Sequence, residues 1–569
     1  MYVRHLPWAP DAYPVSPTAL SLALTVQGPP VAAVWVHYGD RYQTRRNRLQ
    51  AMVKVGRSLA GDVYQAEVEL PTGRFQYLFE LVTAAGETIV WGANGAGSDL
   101  GRDEPFQFAR ILERDAPKVP SWVATAVGYH IFPDRFFRPL DADEPSPRRT
   151  GWDSVPKRTS FYGGTLRGIR EKLPYLADLG ITLLYLTPIF RSPSNHRYDT
   201  QDYYAVDPRL GSEQDLIDLV AASHSLGMKV ILDAVFNHTS DRFFAFREAV
   251  RRGPGSTYWD WYFFADGERV NYETFGVAIP SMPKLNFANP AVEDYFLRVA
   301  VYWLQKAGID GWRLDVANEV DHVFWRTFRE RVKAQNPEAL IVGEVWHDPT
   351  PWLGGDQFDG TMNYPFRQIL LDYFTAGKLS VAEMARRLDT IRYRQTLPAT
   401  TASWNLLGSH DTERILTLVD ADMRRWRLLM VLLMTWTGIP MLYYGDELGM
   451  IGGPDPLCRA AMPWERTADL PSTHAILRAL IGLRSTEPAL QQGDLILDHD
   501  LTQRHVLQFQ RHTARDTLTV TLNLSPVSHA LPSQRTTLYV AGESMDDNLM
   551  PGSAEIWRHK CQLPSPGGA

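Results

Sequence analysis

One unit recurs along the middle of the chain: a helical stripe, a glycine, then a short apolar strand. Ile169, Leu173, Leu176 and Leu179 make one such stripe, Gly180 closes it, and the strand-like Thr182–Leu186 follows at once. Leu216, Leu219 and Val220 precede Gly227, and Lys229–Asp233 is the next strand. Asn289 can cap and Pro290 can open a helix carrying Val292, Tyr295, Phe296, Val299 and Trp303; Gly308 ends it, and Gly311–Asp315 follows. Apolar strands alternating with helices mean a parallel sheet covered by helices. Periodicity alone fits an open doubly wound sheet as well as a closed barrel.

The ends of the apolar runs separate the two. Asp233-Ala-Val-Phe-Asn-His238, Gly311-Trp-Arg-Leu-Asp315, Ile341-Val-Gly-Glu344 and Leu407-Gly-Ser-His410-Asp411 each bring a hydrophobic run to an acid or a histidine. A carboxylate placed after a buried strand is costly unless it is paired or used. An open sheet gathers its working residues at one switch point, whereas a barrel gathers them from many strand ends on one rim. The spread of these acids therefore predicts an α/β fold built on a TIM (β/α)8 barrel.

The remainder of the 569 residues divides around that barrel, in a chain long enough for about three or four domains. Residues 1–120 read as an N-terminal β-sandwich: Leu22, Leu24 and Val26 alternate with polar neighbours, as do Phe75, Tyr77, Phe79 and Leu81, with turns such as Pro71-Thr-Gly73. Pro117, Pro120 and the polar stretch from Asp115 to Lys118 mark a boundary. The barrel spans 121–490, with an insertion at about 238–285 where the helix–strand rhythm breaks. Tyr258, Trp259, Trp261, Tyr262 and Phe263 cluster there, and a long insertion on a barrel's active rim is expected to supply substrate contacts. Alternation at Leu518, Val520, Leu522 and Leu524 predicts a small C-terminal β domain over 491–569, and Pro564–Ala569 is expected to be disordered.

A net charge of −7 with mixed signs points to neither nucleic acid nor a membrane surface. Cys458 and Cys561 form no disulfide framework and no metal spacing. The first residues lack a basic segment followed by an apolar one, and no apolar run of about 20 residues exists, so the expected location is the cytoplasm. The 17 Trp and 24 Tyr are numerous enough to serve the core and still offer faces for stacking on sugars.

Three strand-end carboxylates without a metal cluster fit glycosidic bond cleavage. One carboxylic acid protonates the leaving oxygen, and in a retaining enzyme a second carboxylate roughly 5 Å away attacks the anomeric carbon. The strands ending at Asp315 and Glu344 are consecutive, so their ends should be neighbours. Arg313 shares a strand face with Asp315 and can hold it ionised. Glu344, preceded only by apolar and small residues, suits the acid whose pKa burial raises.

These four segments resemble the conserved regions of the α-amylase family in order, spacing and residue type. Tyr129-His-Ile-Phe-Pro-Asp-Arg135 is similar to the family's first strand and Gly438–Glu447 to its eighth. Met282-Pro-Lys-Leu-Asn286, Ser192–Asp199 and Asp315-Val-Ala-Asn-Glu319 are similar to segments of its neopullulanase, cyclomaltodextrinase and maltogenic amylase group, with residues 1–120 in the place of that group's starch-binding-type module. The resemblance implies that Asp315 is the nucleophile, Glu344 the general acid/base, and Asp411 the group that holds the sugar's 2- and 3-hydroxyls. It implies that Arg313 orients Asp315, that His238 and His410 hydrogen-bond the sugar, that Tyr198 stacks beneath it, and that Asp233 is structural. Within the group-typical segments His196, Asn318 and Glu319 join the candidate substrate contacts, as do Trp346 and His347 on the leaving-group side. The implied activity is retaining hydrolysis of α-1,4 bonds in cyclodextrins, pullulan and maltooligosaccharides, with glycosyl transfer. The implied partners are α-glucan oligosaccharides and a second copy of the chain, joined through the N-terminal domain.

Two alternatives stand beside this reading. An exo-acting α-glucosidase or oligo-1,6-glucosidase shares the barrel, although Lys284 and the N-terminal domain count against it. A binding subunit on the same fold without catalysis would usually lack one of the carboxylates, and all three are present. One departure concerns metal. Many relatives carry calcium near the first barrel loop, but here Phe136 is followed by Phe137-Arg-Pro-Leu140 and Gly163-Gly164 by Thr165. Arg138 would repel a cation and Thr165 brings no carboxylate, so no cofactor is expected. His130 stands where relatives usually carry Gln.

Overall fold

The computed structural model describes residues 1–42, 48–70, 72–97, 104–109, 116–139, 149–265 and 271–559. Pro71, Asp115, Leu140, Cys561 and the 564–569 tail lie outside them.

The N-terminal region is two facing antiparallel sheets. Tyr2–Arg4, Ala12–Ser16, Ala19–Gln27, Val53–Ser58 and Gly61–Glu69 form one, and six strands from Val31–Asp40 to Phe106–Ala109 form the other. Alternation decides what is inside: Leu22, Leu24, Val26, Phe75, Tyr77, Phe79 and Leu81 are all buried in a core of their own.

Eight parallel strands follow: β1 Gly128–Ile131, β2 Leu183–Leu186, β3 Lys229–Ala234, β4 Gly311–Leu314, β5 Leu340–Gly343, β6 Gly360–Thr361, β7 Trp404–Leu406 and β8 Ile439–Tyr443. They hydrogen-bond in chain order from β1 to β6, with β8 beside β1 and β7 beside β8. A parallel bridge between Met362 and Trp404 joins β6 to β7 and closes the barrel. Side chains alternate between two cores: Leu183, Tyr185, Ile231, Leu340, Val342, Trp404, Leu406 and Met441 fill the interior. Leu184, Leu186, Val230, Leu232, Trp312, Leu314 and Ile341 pack outward against the helices.

The helix–glycine–strand units are present, and Gly180, Gly227 and Gly308 all take positive φ. One detail departs from the periodicity. The stripe from Ile169 to Leu179 is carried by two helices, Leu166–Glu171 and Leu173–Leu179, because Pro174 lacks an N–H and cannot continue the first.

Between β3 and the helix Pro290–Lys306 the chain makes a small irregular domain, tied by bridges His238–Lys284, Tyr262–Leu285 and Thr274–Pro283. Most of its aromatic cluster serves the insertion itself. Trp261 and Tyr262 are buried, and Trp259 stacks on Phe264 at 3.9 Å, so these rings form the core that holds the insertion together. Beyond the barrel, a five-stranded antiparallel sheet spans Asp494–Asp498 to Ser553–His559.

Candidate active site

Arg313 is the centre of the site. It lies inside β4 in register with Asp233 of β3, so its side chain points into the barrel and is fully buried. One terminal nitrogen lies 3.0 Å from both Asp233 oxygens and 2.8 Å from Asp315 Oδ1, and the other lies 2.8 Å from Glu344 Oε2. Three carboxylates thus share one guanidinium. Asp315 and Glu344 sit one residue past β4 and β5, yet the ladder runs on: Asp315 N–H donates to Ala234 C=O at 3.1 Å and Glu344 N–H to Leu314 C=O at 2.9 Å. Their side chains therefore leave the rim at fixed positions, side by side.

The backbone turns sharply there. Val316 takes φ 46° and ψ 43°, a left-handed conformation that a β-branched residue adopts only under constraint. That turn aims the Val316 N–H at Glu344 Oε2, 3.0 Å away, while Trp346 Nε1–H donates to Glu344 Oε1 at 3.1 Å. The Trp346 ring stacks on Tyr364 at 3.7 Å and leaves its other face exposed.

Asp411 follows β7. Arg459 clamps it, donating to the His410 carbonyl at 2.7 Å and to Asp411 Oδ1 at 3.1 Å. Tyr198 comes from the loop after β2; its hydroxyl donates to Asp233 Oδ2 at 3.0 Å and lies 2.6 Å from His410 Nε2. Arg197 anchors that loop from a buried position, at φ 63°, by pairing with Asp207.

A cleft of about 630 Å³ opens above these groups. Of the residues singled out in the sequence, His196, Tyr198, His238, Asp315, Asn318, Glu319, Glu344, Trp346, His347 and Asp411 line it. Arg313 and His410 are buried in its floor and do not. Glu319 faces the cleft while pairing with Lys284, whose ammonium also donates to Asn237 Oδ1 at 2.6 Å. His238 stacks on Phe275 and its Nε2 lies 3.1 Å from the Tyr198 carbonyl. Met282, from the group-typical Met282–Asn286 segment, lines the cleft as well, as do Arg459 and Phe275, which carry no sequence signal because neither lies in a periodic run.

Burial sets the protonation. It pushes Asp315 well above the usual carboxylate range, with Arg313 opposing and Glu344 and Asp233 adding. Arg313 favours the ionised form of Asp315, but its guanidinium is divided among three acids and cannot neutralise them all. Burial, then Glu344, raises Asp411 to about 7. His238 falls to about 3 and His410 well below its ordinary value, both mainly through burial, so both rings are neutral.

The family's calcium position does not fit a cation here. Arg138 donates to the Tyr162 carbonyl at 3.3 Å, and Thr165 is spent capping a helix at Gly168 N–H. The nearby Asp134 carboxylate is taken by Arg135 and by the N–H groups of Tyr162 and Gly163. Among the described residues no group of three or more His, Cys, Asp or Glu is arranged to hold a metal ion.

Comparison with known proteins identifies the family. Residues 130–487 match the family described as "Alpha amylase, catalytic domain" and residues 1–111 "Alpha amylase, N-terminal ig-like domain". Neopullulanase 2 of Thermoactinomyces vulgaris is 42% identical over 90% of this chain and 89% of its own. An intracellular maltogenic amylase of Bacillus subtilis is 38% identical over 86% of this chain and 84% of its own. A solved cyclomaltodextrinase superposes with a TM-score of 0.86 at 34% identity, covering 98% of this chain and 97% of that one.

Proposed function

Because the chain belongs to the α-amylase family and is a glycoside hydrolase, we propose that it is a retaining enzyme that opens α-1,4 bonds of cyclodextrins, pullulan and short maltooligosaccharides. The observation that carries this is Asp315 and Glu344 side by side on the two terminal nitrogens of Arg313, with Asp411 facing the same cleft. Relatives named for cyclomaltodextrin and pullulan support the substrate class.

In this reading reaction proceeds from the state in which Asp315 is ionised and Glu344 carries a proton. Asp315 attacks the anomeric carbon as Glu344 gives its proton to the departing glycosidic oxygen. Glu344 then takes a proton from water, whose oxygen displaces Asp315 and restores the original anomeric configuration. Asp411 binds the hydroxyls beside the reacting carbon, and Tyr198 offers its ring beneath the sugar. His238 makes a polar contact at the cleavage site. Arg313 and His410 act through their neighbours. His196, Asn318, Glu319, Trp346 and His347 contact flanking units, and the exposed face of Trp346 can retain an acceptor sugar, which favours transfer over hydrolysis. The enzyme works without calcium and, like the intracellular relative, inside the cell.

Three measurements test this. Glu344→Gln should lower turnover on γ-cyclodextrin by roughly 10³-fold or more while leaving the melting temperature within a few degrees. Proton NMR of the first product should show the α-anomer; a β-anomer would overturn the mechanism. Opened cyclodextrin rings would also exclude the exo-acting alternative, which needs a free chain end.

A further inference from the structure

His130 is fully buried in β1 and lines no part of the cleft. Its ring packs between Tyr185 at 4.5 Å and Tyr443 at 5.0 Å, whose hydroxyls are spent on Asp233 and the Cys458 carbonyl. Its Nε2 lies 3.1 Å from His410 Nδ1, and its Nδ1 has no hydrogen-bond partner among the described residues. From His410 the chain of contacts goes on: Nε2 is 2.6 Å from the Tyr198 hydroxyl and 3.1 Å from Asp411 Oδ2, and Tyr198 donates to Asp233. Burial keeps both imidazoles neutral, so each carries one N–H.

Only two directions of donation are open along this chain. In one, His410 Nδ1–H donates to His130. His130 must then carry its proton on Nδ1, a buried donor with no acceptor, and the bare His410 Nε2 either draws the Tyr198 O–H away from Asp233 or faces the Asp411 carboxylate lone pair to lone pair. In the other, His130 Nε2–H donates to His410 Nδ1, and His410 Nε2–H points at Tyr198 and Asp411. Tyr198 O–H then goes to Asp233, and every N–H and O–H has an acceptor. Orphaned buried donors are the rarer defect, which selects the second direction.

We propose that His130 is a positioning residue that fixes His410 as the Nε2–H tautomer and thereby orients Tyr198 and Asp411 in the cleft. Its effect on turnover rests on the roles given above to those two groups; its effect on the tautomer does not. A side-chain amide at this position could make the same donation, whereas an apolar ring could not.

The test uses full-length protein with ¹⁵N-labelled histidine. Long-range ¹H–¹⁵N spectra should show His130 and His410 both protonated on Nε2, with the His130 signal identified by its loss in His130→Gln. His130→Gln should keep the His410 tautomer and hold kcat within a few-fold. His130→Phe should release the tautomer and lower kcat about tenfold to a hundredfold, with KM changing less. A His410 protonated on Nδ1 in the parent overturns the proposal, as does a His130→Gln variant that loses the tautomer. Should the Phe variant fail to fold, the parent and Gln spectra decide the matter alone. The tautomer is read without substrate, so it is independent of the role of Asp411, which the activity of Asp411→Asn examines separately.

Discussion

At the scale of single residues, the site works by sharing too little positive charge among too many acids. Arg313 reaches Asp233, Asp315 and Glu344, while Asp411 has Arg459. A carboxyl whose folded pKa lies above its ordinary value binds protons more tightly in the native state than in the unfolded one. Its contribution to stability is present at low pH and lost as pH rises through the folded pKa. For Asp411 that window runs from 3.8 up to about 7. Asp411→Asn, which cannot ionise, should therefore be stabilised relative to the parent, with a melting-temperature gap that widens between pH 5 and pH 8. Solvent reaches 31% of the Asp411 side chain and softens the shift, so the sign of that widening is the readout. A gap that narrows would contradict the assigned environment. The same variant should lose activity at every pH.

At the scale of elements, the pairing of β4 with β5 decides whether Asp315 and Glu344 meet. Gly311 opens β4 at φ 149°, and a Cβ placed on it would lie 2.0 Å from the Leu340 carbonyl oxygen. Backbone on backbone cannot be relieved by a rotamer change. Gly311→Ala should cost about 3 kcal/mol or more, combining strain and overpacking, and should reduce activity per folded molecule because the two strand ends shift apart. Thermal denaturation and active-site titration check the two effects. A variant that melts with the parent and retains full activity would show that this register does not hold the pair.

At the scale of the whole molecule, the outer domains attach differently. Leu495, Leu507, Phe509, Val520, Leu522 and Ile556 of the C-terminal sheet belong to the same hydrophobic core as the barrel helices. The N-terminal sandwich has a separate core and reaches the barrel through polar contacts. Asp389, with no solvent exposure, accepts from Arg57 N–H at 3.1 Å, from Arg392 at 2.8 Å and from C-terminal His499 at 2.8 Å, and Leu59 N–H donates to Thr390. Asp389→Ala strands these donors and should cost about 3–5 kcal/mol at the junction. Limited proteolysis should then release the sandwich faster, and calorimetry should resolve its transition from that of the barrel. A single unchanged transition would refute the junction. We also propose that the sandwich narrows the cleft of a second copy, so sedimentation should give a dimer; a monomer at micromolar concentration would exclude it. Among the described residues no helix is long and apolar enough to cross a membrane.

Local order along the chain is enough to set the period of apolar residues, the glycines that close helices, and the acids that end strands. Alternation at Leu22–Val26 and at Phe75–Leu81 is enough to bury those residues, because a strand has only two faces. Other features depend on the distance between residues remote in the chain and arise only once the barrel closes. The sharing of Arg313 among three acids, Arg459 reaching Asp411, and the burial of Trp261 and Tyr262 in the insertion's own core carry no periodic mark. The helix broken at Pro174 was visible as a proline, but its place inside an unbroken stripe concealed it. Proton placement belongs to the same class, since desolvation and mutual repulsion depend on which groups the closed barrel brings together.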